Sequence, residues 1–448
     1  MTAVCRRARM GYRRRSVVVF LAALCLFGGS RRARAQGSAA PPQASRTAET
    51  LTIEQAVQEA IDHNLDLAAK RRDVAVASTQ MVTAQLRPNP VLSLDADHLD
   101  WLGTGFNETN NGGPTEYAVR VDVPVERGSK RDLRMGAAGS ARALAESQVE
   151  DAIRTLRLTV ELACVDVIQA TENLALTRDT LRTFQDLAAL NDNRVRAGAA
   201  PPSEATRTRV AMLQFQANVS RAELALRAAS MQLRHLLGRP ASSDPLTVVE
   251  PPVRPPTAPN LQVDSLEALA TDHRPDLVAA KQTEAHSVAD LRLQLAVGKV
   301  DFTYGAEYRR QQGPENFSNS IGVFFSAPIP IASRNQGEIA RAMAERDQHH
   351  LELSAVEEGI RSDVAGALDA YEATGALVAS IERDLIAPAQ SARDTAEYTY
   401  RAHATTLVEL IDSQRAWNDA MQTYHDAQAD YWRAVARLNA AVGVEVVR

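Results

Sequence analysis

The sequence predicts a mainly α-helical protein with a small β portion, built from one unit of long helices and paired strands used twice. Three observations carry this. Residues 116–125 place Tyr117, Val119, Val121, Val123 and Val125 at every second position, which makes one face of a strand apolar. The chain then has no proline before Pro201 and reads as helix almost throughout. The same succession of strand and long helix returns in the second half.

In chain order, the N-terminus has the pattern of an export signal over residues 1–35. Arg6, Arg7, Arg9, Arg13, Arg14 and Arg15 precede an apolar core from Val17 to Phe27, and Ala33 and Ala35 form a small-x-small cleavage site. Arg14-Arg15-Ser16 also resembles a twin-arginine signal. Removal takes away nine arginines and no acid, so the formal charge falls from −5 to −14, which disfavours nucleic acid as a partner. Cys5 and Cys25 leave with the signal and Cys164 remains, so no intrachain disulfide is expected. Leu24 stands where a lipoprotein signal needs a small residue.

Residues 36–50, rich in Ala, Pro, Ser and Gln, read as disordered. Thr52 is an N-cap with Gln55 three residues on, and helix runs to Leu86 with a break near His63 and Asn64. Pro88 and Pro90 stop it. A strand over 91–99 sets Leu92, Leu94 and Ala96 against Ser93, Asp95 and Asp97. A Gly- and Asn-rich loop over 102–115 leads to the strand at 116–125. Helix over 129–195 follows, with Gly136 and Gly139 as weak points, then a turn at 196–202 and a returning helix to Leu237. Seven prolines between 240 and 260 mark a linker between a first repeat, 51–239, and a second, 261–448.

The second repeat shows strands over 300–309 and 320–329, with Phe324 interrupting the polar side of the latter. Long helix resumes after Ile331, kinks at Pro388, turns between Tyr400 and Thr406, and ends at Gly443. His273, Asp276 and Leu277 match His63, Asp66 and Leu67 at an offset of 210. Further on, Arg401, Glu409 and Gly443 match Arg196, Glu204 and Gly238 at an offset of 205.

No run of about 18 apolar residues occurs, so no membrane-spanning helix is expected. Each strand has the length and alternation of a bilayer-crossing strand. Such strands must close into a barrel, and four cannot close, so membrane crossing requires several chains. The residues alone leave two readings open: a shared pore, with a trimer supplying twelve strands, or a soluble periplasmic coiled-coil scaffold carrying two hairpins.

The chain resembles the TolC-like outer-membrane efflux proteins over residues 51–443. Leu51 to Ala56 with Ala60 and Asn64, Val123 to Val125 with Gly128 to Arg131, Pro328 to Pro330 with Arg334 to Ile339, and Tyr400 to His403 with Leu407 to Arg415 carry the resemblance. The last two passages look most like the heavy-metal cation efflux branch. The resemblance implies a homotrimer in the outer membrane, whose twelve-stranded β-barrel is continuous with a periplasmic α-helical barrel. It implies a periplasmic adaptor protein and an inner-membrane resistance-nodulation-division pump as partners. Multidrug efflux or type I protein secretion is the alternative cargo class.

By similarity, Tyr400, Glu409 and Asp412 form the periplasmic gate. Arg196, Gly198, Glu204 and Arg207, with Arg401 and His403, mark the tips as an adaptor-contact or interhelical ion-pair site. Relatives commonly have glycine at His403 and sometimes a basic residue at Thr405, so an identical latch is not expected. His349 and His350 point about 100° apart on a helix and read as a solvated face rather than a metal site. No catalytic, cofactor or metal-binding residues are expected, because no nucleophile or zinc-ligand pattern is present.

Overall fold

A computed structural model of the chain describes residues 50–99, 101, 115–242, 246–249, 261–312, 317–402 and 404–447. The expected export signal, segment 36–49, loop residues 102–114 and 313–316, most of the proline-rich linker and His403 lie outside the described residues.

The first half contains β1 (Thr50–Leu51), α1 (Ile53–His63), α2 (Leu65–Gln85), β2 (Val91–Asp97), β3 (Glu116–Val125), α3 (Lys130–Arg196) and α4 (Pro202–Leu236). After β4 (Thr247–Val248) come α5 (Val263–His273), α6 (Pro275–Val297), β5 (Phe302–Gln312), β6 (Phe317–Ser326), α7 (Gln336–Asp384), α8 (Ile386–Arg401) and α9 (Leu407–Val442). Helix pair, strand pair and long hairpin thus follow one another twice. At 1.5 Å per residue, α3 alone is about 100 Å long.

Thr52 and Gln55 form the expected capping box, with Gln55 N donating to Thr52 Oγ1 (3.2 Å) and Thr52 N to Gln55 Oε1 (3.0 Å). The chain breaks at Asn64, whose extended backbone ends α1 while its side chain accepts from Leu67 N (3.0 Å) and starts α2. Asn64 Nδ2 also donates to Leu236 O (3.0 Å), so one amide ties the break to the last turn of α4. Arg274 repeats the tie in the second half, from Nη1 to Ala441 O in the last turn of α9 (3.2 Å). Gly238 and Gly443 follow those last turns with positive φ (67° and 84°). They lie against the backbone of His63 and of His273, respectively.

The sheet is antiparallel, in the order β2-β3-β5-β6. Tyr117, Val119, Val121, Val123 and Val125 stand exposed on one face with Tyr304, Tyr308, Ile321, Val323 and Phe325. The other face is charged. Arg120 pairs with Asp122 (2.8 Å), and Arg309 bridges Glu116 and Glu307, the latter only 7% exposed. Phe324 lies on that face, with the Arg120 guanidinium 4.2 Å from its ring centroid.

Five strand boundaries differ from the sequence reading, two of them at the far end of the second hairpin, where β5 runs on to Gln312 rather than 309 and β6 begins at Phe317 rather than 320. β5 begins at Phe302 rather than 300, because Asp301 turns aside to accept from Arg127 N (2.8 Å) and Lys130 Nζ (2.7 Å). β6 ends at Ser326 rather than 329, since Pro328 and Pro330 have no N–H for the ladder. β2 stops at Asp97, and His98 follows with a φ of 55° that leaves extended geometry. The linker also holds structure that the sequence did not announce: β4 pairs in parallel with β1, and Leu246 is buried.

Two apolar cores run along the helices. One joins α1, α3 and α4 and takes in Ala396, Tyr400, Leu407 and Leu410 from the end of the second hairpin. The other joins α5, α7 and α9. Pro388 interrupts the long helix as expected, and the break falls at Leu385, one turn earlier (φ −112°). No described helix is long and apolar enough to cross a membrane.

Candidate functional site

The two helical hairpins end in turns of different chemistry. At the first, Gly198 takes φ 73° after α3, so that Gly198 N donates to Val195 O (3.0 Å) and Ala199 N to Arg194 O (2.8 Å). Pro202 at the first position of α4 fixes the return. At the second, Thr406 caps α9 by accepting from Glu409 N (3.3 Å).

Tyr400 joins the two hairpins. It is 2% exposed, donates to Glu204 Oε1 (2.6 Å) and accepts from Asn191 Nδ2 (2.7 Å). Asn191 and Thr208 are fully buried, and Asn191 Nδ2 also lies 2.8 Å from Thr208 Oγ1. The Arg194 guanidinium sits 5.6 Å from the tyrosine ring centroid. Burial, reinforced by donation to Glu204, pushes the Tyr400 hydroxyl up to about 12. It therefore keeps its proton and stays a donor at neutral pH.

Glu409 and Asp412 are not drawn into this cluster. Both are exposed; Glu409 accepts from Thr405 Oγ1, and Asp412 lies 3.9 Å from Arg415. Glu204, expected at the contact surface, is half-buried and held by Tyr400. Arg196, Arg207 and Arg401 are exposed, Arg196 donating to Asn193 Oδ1 (2.5 Å) and Arg401 to Glu397 Oε1 (2.6 Å). Sequence reasoning missed Asn191 and Thr208. The signal available was the mismatch between halves, for Tyr400 stands where an offset of 205 gives Val195.

Behind the tip, α3 meets α9 along polar contacts. Thr180 Oγ1 donates to Asn418 (2.9 Å), His425 Nδ1 bonds Asn173 Oδ1 (3.0 Å), Gln169 donates to Asp426 (2.6 Å), and Arg433 pairs with Asp166 (2.6 Å).

A cleft of about 580 Å³ opens where α1, α3 and the end of the chain converge, lined by Glu54, Arg154, Arg157, Glu161, Trp432 and Glu445 among others. Burial pushes the Glu161 carboxyl up to about 7, against the pull of Arg157 and aided by Glu54 and Glu445. Burial also pushes the Cys164 thiol up to about 12, leaving it inert. His350 Nδ1 lies 2.8 Å from Glu284, and no group of three metal-ligating side chains occurs among the described residues.

A profile of the family described as "Outer membrane efflux protein" matches residues 56–239 and 267–444. The chain is 24% identical to the cobalt-zinc-cadmium resistance protein CzcC of Cupriavidus metallidurans, covering 88% of this chain and 90% of that one. It is 22% identical to the alkaline protease secretion protein AprF of Pseudomonas aeruginosa, over 68% of this chain and 65% of the other. Its fold is similar to the crystal structure of the Campylobacter jejuni outer membrane channel CmeC, with a TM-score of 0.72 at 13% identity over 90% of each chain.

Proposed function

The chain belongs to the outer membrane efflux protein family, and from that premise we propose that it is the outer-membrane component of a tripartite resistance-nodulation-division system that exports heavy-metal cations. As a family member it is an outer-membrane channel with a periplasmic helical extension and not an enzyme. The observation that supports a membrane-crossing channel is the sheet, apolar on one face and charged on the other, with β2 and β6 at its edges unpaired among the described residues. Three copies pairing β6 to β2 make a twelve-stranded barrel with every backbone group satisfied. Their helices then continue it as a periplasmic tunnel. Transport through such a conduit is passive, with energy from the inner-membrane pump and an adaptor protein seated on the helical tips.

In this assembly Glu409 and Asp412 from three chains form a ring of six carboxylates that draws in cations and repels anions. Tyr400 holds the second hairpin against the first through Glu204 and Asn191 and keeps the entrance narrow. Arg196, Gly198, Arg207, Arg401 and His403 remain the adaptor contact. The similarity to CzcC favours metal cations as cargo. Protein secretion is the second reading, supported by the similarity to AprF.

Deletion tests the cargo. We expect lowered tolerance of cobalt, zinc and cadmium; unchanged metal tolerance with loss of a secreted protein or of drug resistance transfers the channel to the second reading. In single-channel recording, Glu409→Ala with Asp412→Ala lowers cation selectivity. Unaltered selectivity and conductance would remove those carboxylates from the gate.

A further inference from the structure

Each of the four junctions between a helix and a sheet strand carries one exposed cation: Arg87 between α2 and β2, Arg127 between β3 and α3, Lys299 between α6 and β5, and Arg334 between β6 and α7. None of the four forms an ion pair among the described residues. Acids at the same level are engaged elsewhere. Glu126 is paired with Arg134 (2.5 Å), Asp301 with Lys130 (2.7 Å) and Glu338 with Arg341 (2.7 Å), while Asp132 stays exposed in the first turn of α3.

The collar borders the apolar face. The Arg127 guanidinium lies 4.4 Å from the ring centroid of Phe302, which packs edge-on against Phe325 (5.1 Å) on that face. Leu86, Ile329 and Ile331, at 61%, 80% and 83% exposure, flank Arg87 and Arg334 in sequence. Gly128, at φ 76°, clears space for the Lys299 stem, since a Cβ there would stand 2.7 Å from Lys299 Cδ. Arg334 Nε donates to Pro330 O (3.2 Å), and cationic heads without an acidic partner at the border of an apolar belt are how arginine and lysine sit at a membrane surface.

We propose that this collar binds the phosphates of anionic phospholipid headgroups in the leaflet facing the helices. The proposal rests on the reading that the sheet crosses the outer membrane with its helices in the periplasm. Guanidinium groups match phosphate oxygens bidentately, and Lys299 adds a point charge. Three copies would ring the barrel with twelve such cations, fixing the depth at which it sits.

The purified full-length protein is reconstituted into vesicles of phosphatidylcholine alone or mixed with phosphatidylglycerol, re-extracted, and its retained lipid quantified by native mass spectrometry. We expect preferential retention of phosphatidylglycerol that fades with rising salt. The combined variant Arg87→Gln, Arg127→Gln, Lys299→Gln, Arg334→Gln should lose roughly tenfold or more of the preference. Arg→Lys exchange at the three arginines should keep most of it. Wild-type protein that enters both vesicles and retains both lipids equally overturns the collar alone. So does a glutamine variant that keeps the preference. If that variant fails to assemble, the wild-type salt titration decides, and a preference indifferent to salt overturns the collar. Wild-type protein that enters neither vesicle overturns the membrane reading, and the collar with it.

Discussion

The two halves meet the same demand at their joints with different chemistry, and diverge outright at their tips. At the joint, Asn64 and Arg274 each reach across to a last-turn carbonyl, of Leu236 and Ala441. Asn64 does so as a neutral amide; Arg274, 5% exposed, also engages Asp276 (2.6 Å) and Asp363 (3.1 Å). At the tips, the duplicated glutamates part company. Glu204 is half-buried under the Tyr400 hydroxyl, while Glu409 stands exposed in the first turn of α9. The joints keep a common geometry because each must turn the chain against the end of its own long hairpin. At the tips the Tyr400 hydroxyl ties the second hairpin to the first, and in the proposed gate the first helix pair would serve as the frame and the second as the part latched to it.

Arg274→Ala should break the symmetry of the joints most severely. It removes the close partner of Asp276, leaving it Arg154 at 3.9 Å, and the side-chain donor to the Ala441 carbonyl, at a cost of about 3 kcal/mol in thermal unfolding, against about 1 kcal/mol for Asn64→Ala. Equal losses would mean that the charges add nothing to the shared tie. Gly238→Ala comes next, at about 3 kcal/mol, because a Cβ there overlaps the His63 carbonyl oxygen as well as straining a positive φ. Gly443→Ala, whose Cβ would clear the His273 carbonyl carbon by 3.3 Å, should cost only about 1–2 kcal/mol.

Glu161 has no counterpart, since an offset of 205 gives Gly366. Its raised pKa means that the fold favours the protonated acid. That stabilisation is complete below the ordinary glutamate value of 4.5 and is lost as pH rises through about 7. Glu161→Gln should therefore raise stability by about 1–3 kcal/mol at pH 8 and scarcely at pH 4. A pH-independent gain would contradict the burial argument. Tyr400→Phe should cost about 1–2 kcal/mol in stability. Its sharper readout is single-channel conductance, which should rise as the second hairpin loosens; unchanged conductance would leave the latch without a role in the gate. In the wild type the latch should persist at pH 10 and weaken toward about 12, where the Tyr400 proton leaves.

The frame was legible in the sequence because its signals are local and doubled. Alternation from Tyr117 to Val125 gave β3 its residue bounds, and Thr52, Gln55 and Pro388 announced a cap and a break. Strand ends were less legible, since where β5 begins depends on Asp301 turning toward Lys130, 171 residues earlier in the chain. The two-residue strands β1 and β4 are too short to show a period. The latch was half-visible. Tyr400 stood out in the tip passage, but its partners lie 209 and 196 residues away, and neither Asn191 nor Glu204 differs locally from an ordinary helix residue.

The free edges of β2 and β6 carry a consequence for the life of the chain before assembly. In the proposed trimer, pairing β6 of one copy with β2 of the next is a heterologous contact, which closes as a ring of three when each step turns through one third of a circle. With a turn that is no whole fraction of a circle the same contact would go on adding copies without end. An isolated chain with two bare edges and an exposed apolar face is therefore a template for aggregation. Its solubility depends on how briefly it stays alone. In the proposed trimer, closure of the ring would limit the assembly and leave no edge for another copy to join.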